Sequence, residues 1–196
     1  MRPMGIGVVG QPDITFKRKF RWTFEIFGFC RNEANVVPEH FVQVASRPNI
    51  EIEETEINHL NAKMWIPGKA SWQTINVTYL DVASDEMRTL YNWLATVYDF
   101  TDPVELHQGN RGDWDATGVL SMYDGCGTLI EQWQMQHLWP TNVNFGDVDY
   151  SSSEVATIEL TLRYWDVIYR SFCPQFIPEG CCNGCDTVPS QENLTF

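Results

Sequence analysis

The side chains able to do chemistry in this 196-residue chain are carboxylates, thiols, imidazoles and indoles, and their spacing decides what each set can do. Asp113 and Asp115 flank Trp114, and Glu53 and Glu54 are adjacent. Two carboxyl groups held on either side of a sugar bond are the machinery of a glycoside hydrolase. Trp65, Trp72, Trp114, Trp133 and Trp139 would supply a stacking platform for such a substrate, so a carbohydrate-active β-sandwich enzyme stands as an alternative reading. Against it, 26 acidic residues produce close pairs by chance, and indoles on half-buried strand positions serve packing. No glycine-rich phosphate loop, HExxH or GxSxG pattern occurs. Cys173, Cys181, Cys182 and Cys185 form C-x7-C-C-x2-C. A zinc ribbon needs a second separated pair or histidines, yet His40, His59, His107 and His137 lie elsewhere, as do Cys30 and Cys126. Free thiols are the expectation there, with metal or a late disulfide as alternatives. No catalytic residue, metal or cofactor is expected.

Charge narrows the classes further. The chain has 13 Lys+Arg and 26 Asp+Glu, a formal net charge of −13, with 43% hydrophobic residues. That apolar content builds a core and rules out a wholly disordered chain. No apolar run approaches the roughly eighteen residues that span a bilayer, and Met1 to Gly10 lacks a sustained apolar signal region. Residues 1–47 carry seven bases and four acids, whereas residues 48–196 carry six bases and twenty-two acids. The basic cluster is Lys17-Arg18-Lys19 with Arg21. It reads either as a charged strand edge that blocks unwanted pairing or as a docking patch for an acidic copy of the same chain. An acidic chain with so little clustered base is a poor nucleic-acid binder.

The elements that must position these groups are mostly strands. Phe20, Trp22, Phe24 and Ile26 alternate with polar residues between Phe16 and Phe27, which predicts a strand with an aromatic inner face. Asn32 to Pro38 reads as a turn, and His40 to Arg47 as a strand that Pro48 ends. Strands are predicted at Ile50–Ile57 and Trp72–Leu80, joined by a polar stretch with a Pro67-Gly68 turn signal, as a projecting hairpin. Ser84 caps a predicted helix whose stripe is Met87, Leu90, Tyr91, Leu94, Val97 and Tyr98. Thr101-Asp102-Pro103 stops it, and Gly109 to Asp113 reads as a polar loop. Strands follow at Gly118–Tyr123, Leu129–Leu138, with His137 on its glutamine-rich face, and Ala156–Tyr169. The predicted organisation is an N-terminal arm over 1–13, one β domain over 14–170 and a cysteine-containing arm over 171–196.

From Leu138-Trp139-Pro140-Thr141-Asn142-Val143 through Phe145-Gly146-Asp147 to Leu162-Arg163-Tyr164-Trp165, the chain resembles the tail tube proteins of contractile-tailed bacteriophages. Upstream, Arg47-Pro48, an acidic strand, Trp65-Ile66-Pro67-Gly68-Lys69, Trp72-Gln73-Thr74-Ile75-Asn76-Val77 and a helix carrying Trp93-Leu94 follow that family's order over about residues 14–169. The first ten residues and the segment after Ser171 have no counterpart.

The resemblance implies a mainly β fold, a barrel or sandwich with one packed helix and a projecting hairpin. Six copies would close into a ring, and rings would stack into a hollow tube inside a contractile sheath, conducting genomic DNA. The product would be a structural virion protein assembled in the host cytoplasm. Expected partners are further copies, the sheath protein, a tape measure protein, the baseplate and the tail terminator, with DNA passing unbound and no membrane anchor. A related reading is the tube of another contractile injection system with protein cargo. Polar wall candidates are Thr74, Asn76, Thr78, Gln132, Gln134 and Gln136. For stacking, the dense acidic run Glu51, Glu53, Glu54, Glu56 would meet Lys17, Arg18, Lys19 or Arg21 of another subunit, with Trp65 and Ile66 as apolar anchors.

Overall fold

Period-two alternation becomes strand nearly everywhere it occurs. A computed structural model describes residues 17–29, 36–37, 39–59, 61–100, 111–124 and 127–172. Its strands are β1 (Trp22–Phe27), β2 (Val36–Val37), β3 (Val42–Ala45), β4 (Ile50–His59), β5 (Ala62–Trp72), β6 (Ile75–Leu80), β7 (Ala116–Tyr123), β8 (Leu129–Asn144), β9 (Thr157–Arg163) and β10 (Asp166–Ser171). One long helix, α1 (Asp85–Val97), and a single turn, α2 (Arg111–Trp114), accompany them. The main sheet runs β2-β1-β7-β8-β9-β6-β3, with β10 also on β8, and its path is open, not closed on itself. β4 and β5 form a separate two-stranded sheet. The mainly β architecture with one packed helix and a projecting hairpin is the one expected.

β8 serves two halves of the sheet. Its first half pairs with β7 and with β10, from Glu131 opposite Ser171 to Gln136 opposite Asp166. Its second half pairs with β9, from Trp139 opposite Arg163 to Asn144 opposite Glu159. Between them sits His137 at φ 55°, in the left-handed region that few side chains other than Asn, Asp and His adopt. The inward phase shifts across it: Met135 and Leu138, three residues apart, are both fully buried. His137 therefore marks the bend and does not continue the glutamine face.

The core lies between the inner faces of the two halves and one side of α1. It holds Phe24, Ile26, Leu120 and Met135 from one half, and Ile75, Val77, Tyr79, Ile158, Leu160 and Leu162 from the other. α1 starts where expected: the Ser84 hydroxyl accepts the Met87 N–H at 3.1 Å, and Asp85 and Glu86 occupy the first turn. Met87, Leu90, Trp93 and Leu94 are its buried residues. Trp93, absent from the predicted stripe, is fully buried and donates its indole N–H to the Trp114 carbonyl at 2.9 Å. Tyr98, assigned to the stripe, is 58% exposed because the helix has ended at Val97.

Other differences are local. β1 begins only at Trp22, so Phe20 points out and is 73% exposed. Glu39–Phe41 form a 3₁₀ turn, leaving Val42–Ala45 as the strand. Pro67-Gly68 lies inside β5 and not at a turn, and the hairpin spans Ile50 to Trp72 through β4 and β5. An edge strand tolerates a proline that cannot donate to a ladder. The register slips between Ile52 and Glu54, and a Cβ on Gly68 would meet the Glu53 carbonyl at 3.1 Å. The expected strand Ala156–Tyr169 divides at Tyr164-Trp165 into β9 and β10, because the chain crosses from one half of β8 to the other. β10 reaches Ser171, and Phe172 N–H donates to the Ile130 carbonyl at 2.7 Å. The arm 1–13, residues 32–35 and Pro38 of the expected turn, Cys30, Cys126, Thr101–Pro103, Gly109–Asn110 and the tail cysteines lie outside the described residues.

Replacing Trp93 with Ala removes a fully buried indole and leaves the Trp114 carbonyl without its donor. The expected cost is about 3–5 kcal/mol, comparable to the lower end of a domain's total stability. Urea unfolding checks it; a loss below 1 kcal/mol would mean that α1 does not rest on this side chain.

Candidate assembly surface

The β4–β5 ribbon has little to pack against. Among its described side chains from Ile50 to Ser71, all are exposed except the half-buried Glu56. Residues directly opposite in register share a face. Ile57 opposite Met64 and Thr55 opposite Ile66 make one apolar stretch; Glu56 opposite Trp65 and Glu54 opposite Pro67 lie on the other face. Ile52, Met64 and Trp65 are each more than half exposed. The four glutamates consequently do not form the dense cluster expected: alternation puts Glu51 and Glu53 on one face and Glu54 and Glu56 on the other. Two of them are partnered, Glu56 by Lys63 at 2.7 Å and Glu51 by the Gln73 amide at 2.6 Å. A two-stranded ribbon alone is marginal in water.

Its root is held more firmly. Gln73 N–H donates to the Asn49 carbonyl and Ser46 N–H to the Asn76 carbonyl, both at 2.9 Å. The Trp72 and Tyr164 rings meet with centroids 6.2 Å apart. Just ahead of β4, Arg47 reaches Glu131 on β8, Nη2 to Oε1 at 2.6 Å. The Glu131 side chain is fully buried; it also accepts the Trp133 indole N–H at 3.2 Å and pairs with Lys17 through its second oxygen. Burial alone would raise its pKa, but the Lys17 and Trp133 hydrogen bonds and the charges of Arg47 and Lys17 outweigh it and hold it below the usual glutamate value. Sequence reasoning missed this residue, although a signal existed. Leu129, Glu131, Trp133 and Met135 share parity, so an acid stands in an inward phase and demands cations.

Lys17 is thereby engaged with Glu131 within its own chain and stays 39% exposed. Arg18 and Lys19 are exposed, and Arg21 lies over the Phe20 ring at 5.3 Å. Lys19 and Phe20 border a cleft of about 460 Å³ shared with Glu39 and His40, so one acid of the same chain, Glu39, already neighbours the patch.

The polar wall candidates fall on two separate regions. Asn76 and Thr78 share the outer face of β6 with Thr161 and Glu159 of β9, and the Thr161 hydroxyl donates to Asn76 Oδ1 at 3.1 Å; Thr74 lies in the link before β6. Gln132, Gln134 and Gln136 line the first half of β8, opposite Arg170, Ile168 and Asp166. The imagined carboxylate pairs dissolve: Asp115 binds His137 Nδ1 at 2.7 Å, and Glu53 and Glu54 point to opposite faces. Of the five platform tryptophans only Trp65 is exposed, while Trp114 packs edge-on against Trp139 and Trp133 against Tyr169. Among the described residues no group of three or more His, Cys, Asp or Glu is arranged to hold a metal.

An open antiparallel sheet with one packed helix and an exposed ribbon matches a known family over nearly the whole described region. The model of the T4-like virus tail tube protein gp19 family covers residues 18–167. The chain belongs to that family. The curated tail tube protein gp19 of Enterobacteria phage T4 is 24% identical over 120 residues, spanning 59% of this chain and 72% of the relative. A chain of the anti-feeding prophage baseplate superposes with TM-score 0.63 at 14% identity, covering 81% of this chain and 97% of the other. One from the sheath–tube complex of the PVC extracellular contractile injection system gives 0.55 at 19% identity, covering 80% and 93%. This tail tube protein is thus a structural component of a virion or injection particle and not an enzyme.

Because the Glu131 pKa is lowered on folding, its contribution is present above the unfolded glutamate pKa and lost as pH falls through the folded value. Melting temperatures of the wild type should therefore drop below about pH 4.3 more steeply than those of Glu131→Gln. Parallel curves would show that the ion cluster does not report on folding.

Proposed function

We propose that this tail tube protein closes into hexameric rings that stack through the β4–β5 ribbon into a hollow conduit for genomic DNA. The observation that carries the stacking role is the ribbon's composition: Ile52, Ile57, Met64, Trp65 and Ile66 remain exposed on both faces of a two-stranded sheet. Burying them against another copy would supply the partners that the ribbon lacks in the single chain. Its glutamates form a polar rim, for which Arg18, Lys19 and Arg21 of a neighbouring copy are the complementary charges. Sheath, baseplate, tail terminator and tape measure protein are the partners of this reading. The baseplate and sheath–tube assemblies that contain the structural neighbours support the first two by analogy.

Conduction follows from charge. Each copy carries −13, and every cation facing a channel would add a counterion-release contact that holds DNA in place. The rows Asn76–Thr161 and Gln134–Val119 are themselves uncharged, with one arginine beside each, Arg163 on β9 and Arg170 on β10. The domain boundaries near 14 and 170 and the cysteine-bearing arm enter this reading only as segments outside the stacking ribbon.

The test is negative-stain imaging of the purified protein beside Trp65→Ser/Ile66→Ser. The wild type is expected to form rings or tubes, while the variant stays folded by circular dichroism and forms neither. Tubes of normal length from the variant would remove the ribbon from the assembly, and a wild type that stays monomeric at high concentration would remove the assembly itself.

A further inference from the structure

Glu131 joins three parts of the chain that are far apart in sequence. Its Oε1 accepts from Arg47, three residues before the ribbon begins, and from the Trp133 indole; its Oε2 pairs with Lys17, next to the Arg18-Lys19-Phe20-Arg21 patch. The carboxylate is fully buried, whereas Lys17 and Arg47 are 39% and 50% exposed and approach it from outside. Arg47 also lies over the Trp133 ring at 5.8 Å.

From this geometry we propose that Glu131 is a positioning residue that couples the docking of the N-terminal patch to the order of the ribbon root. A buried carboxylate is tolerable only while its charge is compensated. Each cation holds a different oxygen, Arg47 on Oε1 and Lys17 on Oε2, so the two together keep water out of the site. Displacing Lys17 leaves Oε2 desolvated and without its partner, and the site then relaxes by admitting water or a solvent proton. Either relaxation weakens the Arg47 contact and with it the segment Arg47-Pro48-Asn49 that carries β4 and receives the Gln73 amide. The coupling is reciprocal: a loosened Arg47 must loosen Lys17 by the same factor. The consequence for tube growth rests on the stacking role proposed above, because a patch and a ribbon that order each other would present both complementary surfaces of a subunit together.

Amide exchange on the unassembled full-length protein tests the coupling without any tube. Lys17→Met is expected to speed exchange at Ser46, Gln73 and residues 50–72 by about 5- to 150-fold, the usual span of inter-site coupling. Arg47→Met should speed exchange at residues 18–22, and Glu131→Gln, nearly isosteric, should do both. In all three, α1 and β9 should exchange as in the wild type. Unchanged ribbon exchange in Lys17→Met overturns the proposal, as does a uniform rise through α1 and β9, which would make the cluster a general stabiliser. Both single-cation variants alter half-exposed side chains, so the result stands even where Glu131→Gln does not fold. If exchange responds as expected and the protein still forms no tubes, the coupling holds and the assembly reading fails.

Discussion

The structure depends on β8 being one strand that belongs to two differently paired halves of a sheet. A straight strand of sixteen residues would present one continuous apolar face and pair with the same neighbours throughout. Here the phase shifts at His137, whose left-handed backbone is steadied by Asp115 on one side and the Trp165 ring, at 4.9 Å, on the other. The shift lets Met135 and Leu138 both face inward and sends β9 and β10 to separate stretches of the strand. Helix α1 lies against the core that the two halves enclose, and Trp93 ties it to the chain entering β7 through the Trp114 carbonyl. Without the bend, the pairing partners of β9 and β10 would compete for the same edge.

The same strand carries the one fully buried carboxylate among the described residues. Glu131 occupies an inward position where an aliphatic residue would cost nothing to bury, and ion pairs of this kind seldom stabilise more than a well-packed hydrophobe of similar size. What the carboxylate supplies is direction. It binds only where cations arrive, and those cations come from the N-terminal patch and from the connector to the ribbon. Two segments with few other apolar contacts thus acquire defined positions relative to the sheet.

Much of this was legible in the sequence, and the failures have a common cause. The strands, the Ser84 cap, the helix and the projecting ribbon all follow from periodicity and capping chemistry, which are local. The breaks within apparently continuous strands are not local. Nothing in Tyr164-Trp165 announces a boundary; it arises because the chain must change its partner on β8. Pro67-Gly68 has the composition of a turn, yet the edge position of β5 and a bulge opposite Glu53 absorb it. Trp93 falls outside the stripe that helical spacing gives, whereas helix direction and length decide which ring points inward. In the ribbon, residue identity marks Trp65 and Ile66 as apolar side chains that the structure leaves exposed, but the cross-strand register is needed to show that its acids alternate between faces.

That alternation changes what the ribbon's charge can mean. Four carboxylates on one surface would repel one another and need a concentrated basic partner. Spread over two faces, with Glu56 paired to Lys63 and Glu51 hydrogen-bonded to the neutral Gln73 amide, they repel one another less, and exposed pairs contribute only about 0–1 kcal/mol each. Apolar burial is the larger quantity: at about 25 cal/mol per Å², covering one large side chain outweighs such a pair. The affinity of a ribbon contact should therefore reside in Trp65, Ile66, Met64 and Ile52, and the acids should decide which surface is accepted. Charge complementarity chiefly governs orientation and encounter, and like-charged faces reject one another. An acidic ribbon rimming an apolar strip can thus refuse the acidic remainder of its own chain and accept the patch around Arg18 and Lys19, where the chain's positive charge is concentrated.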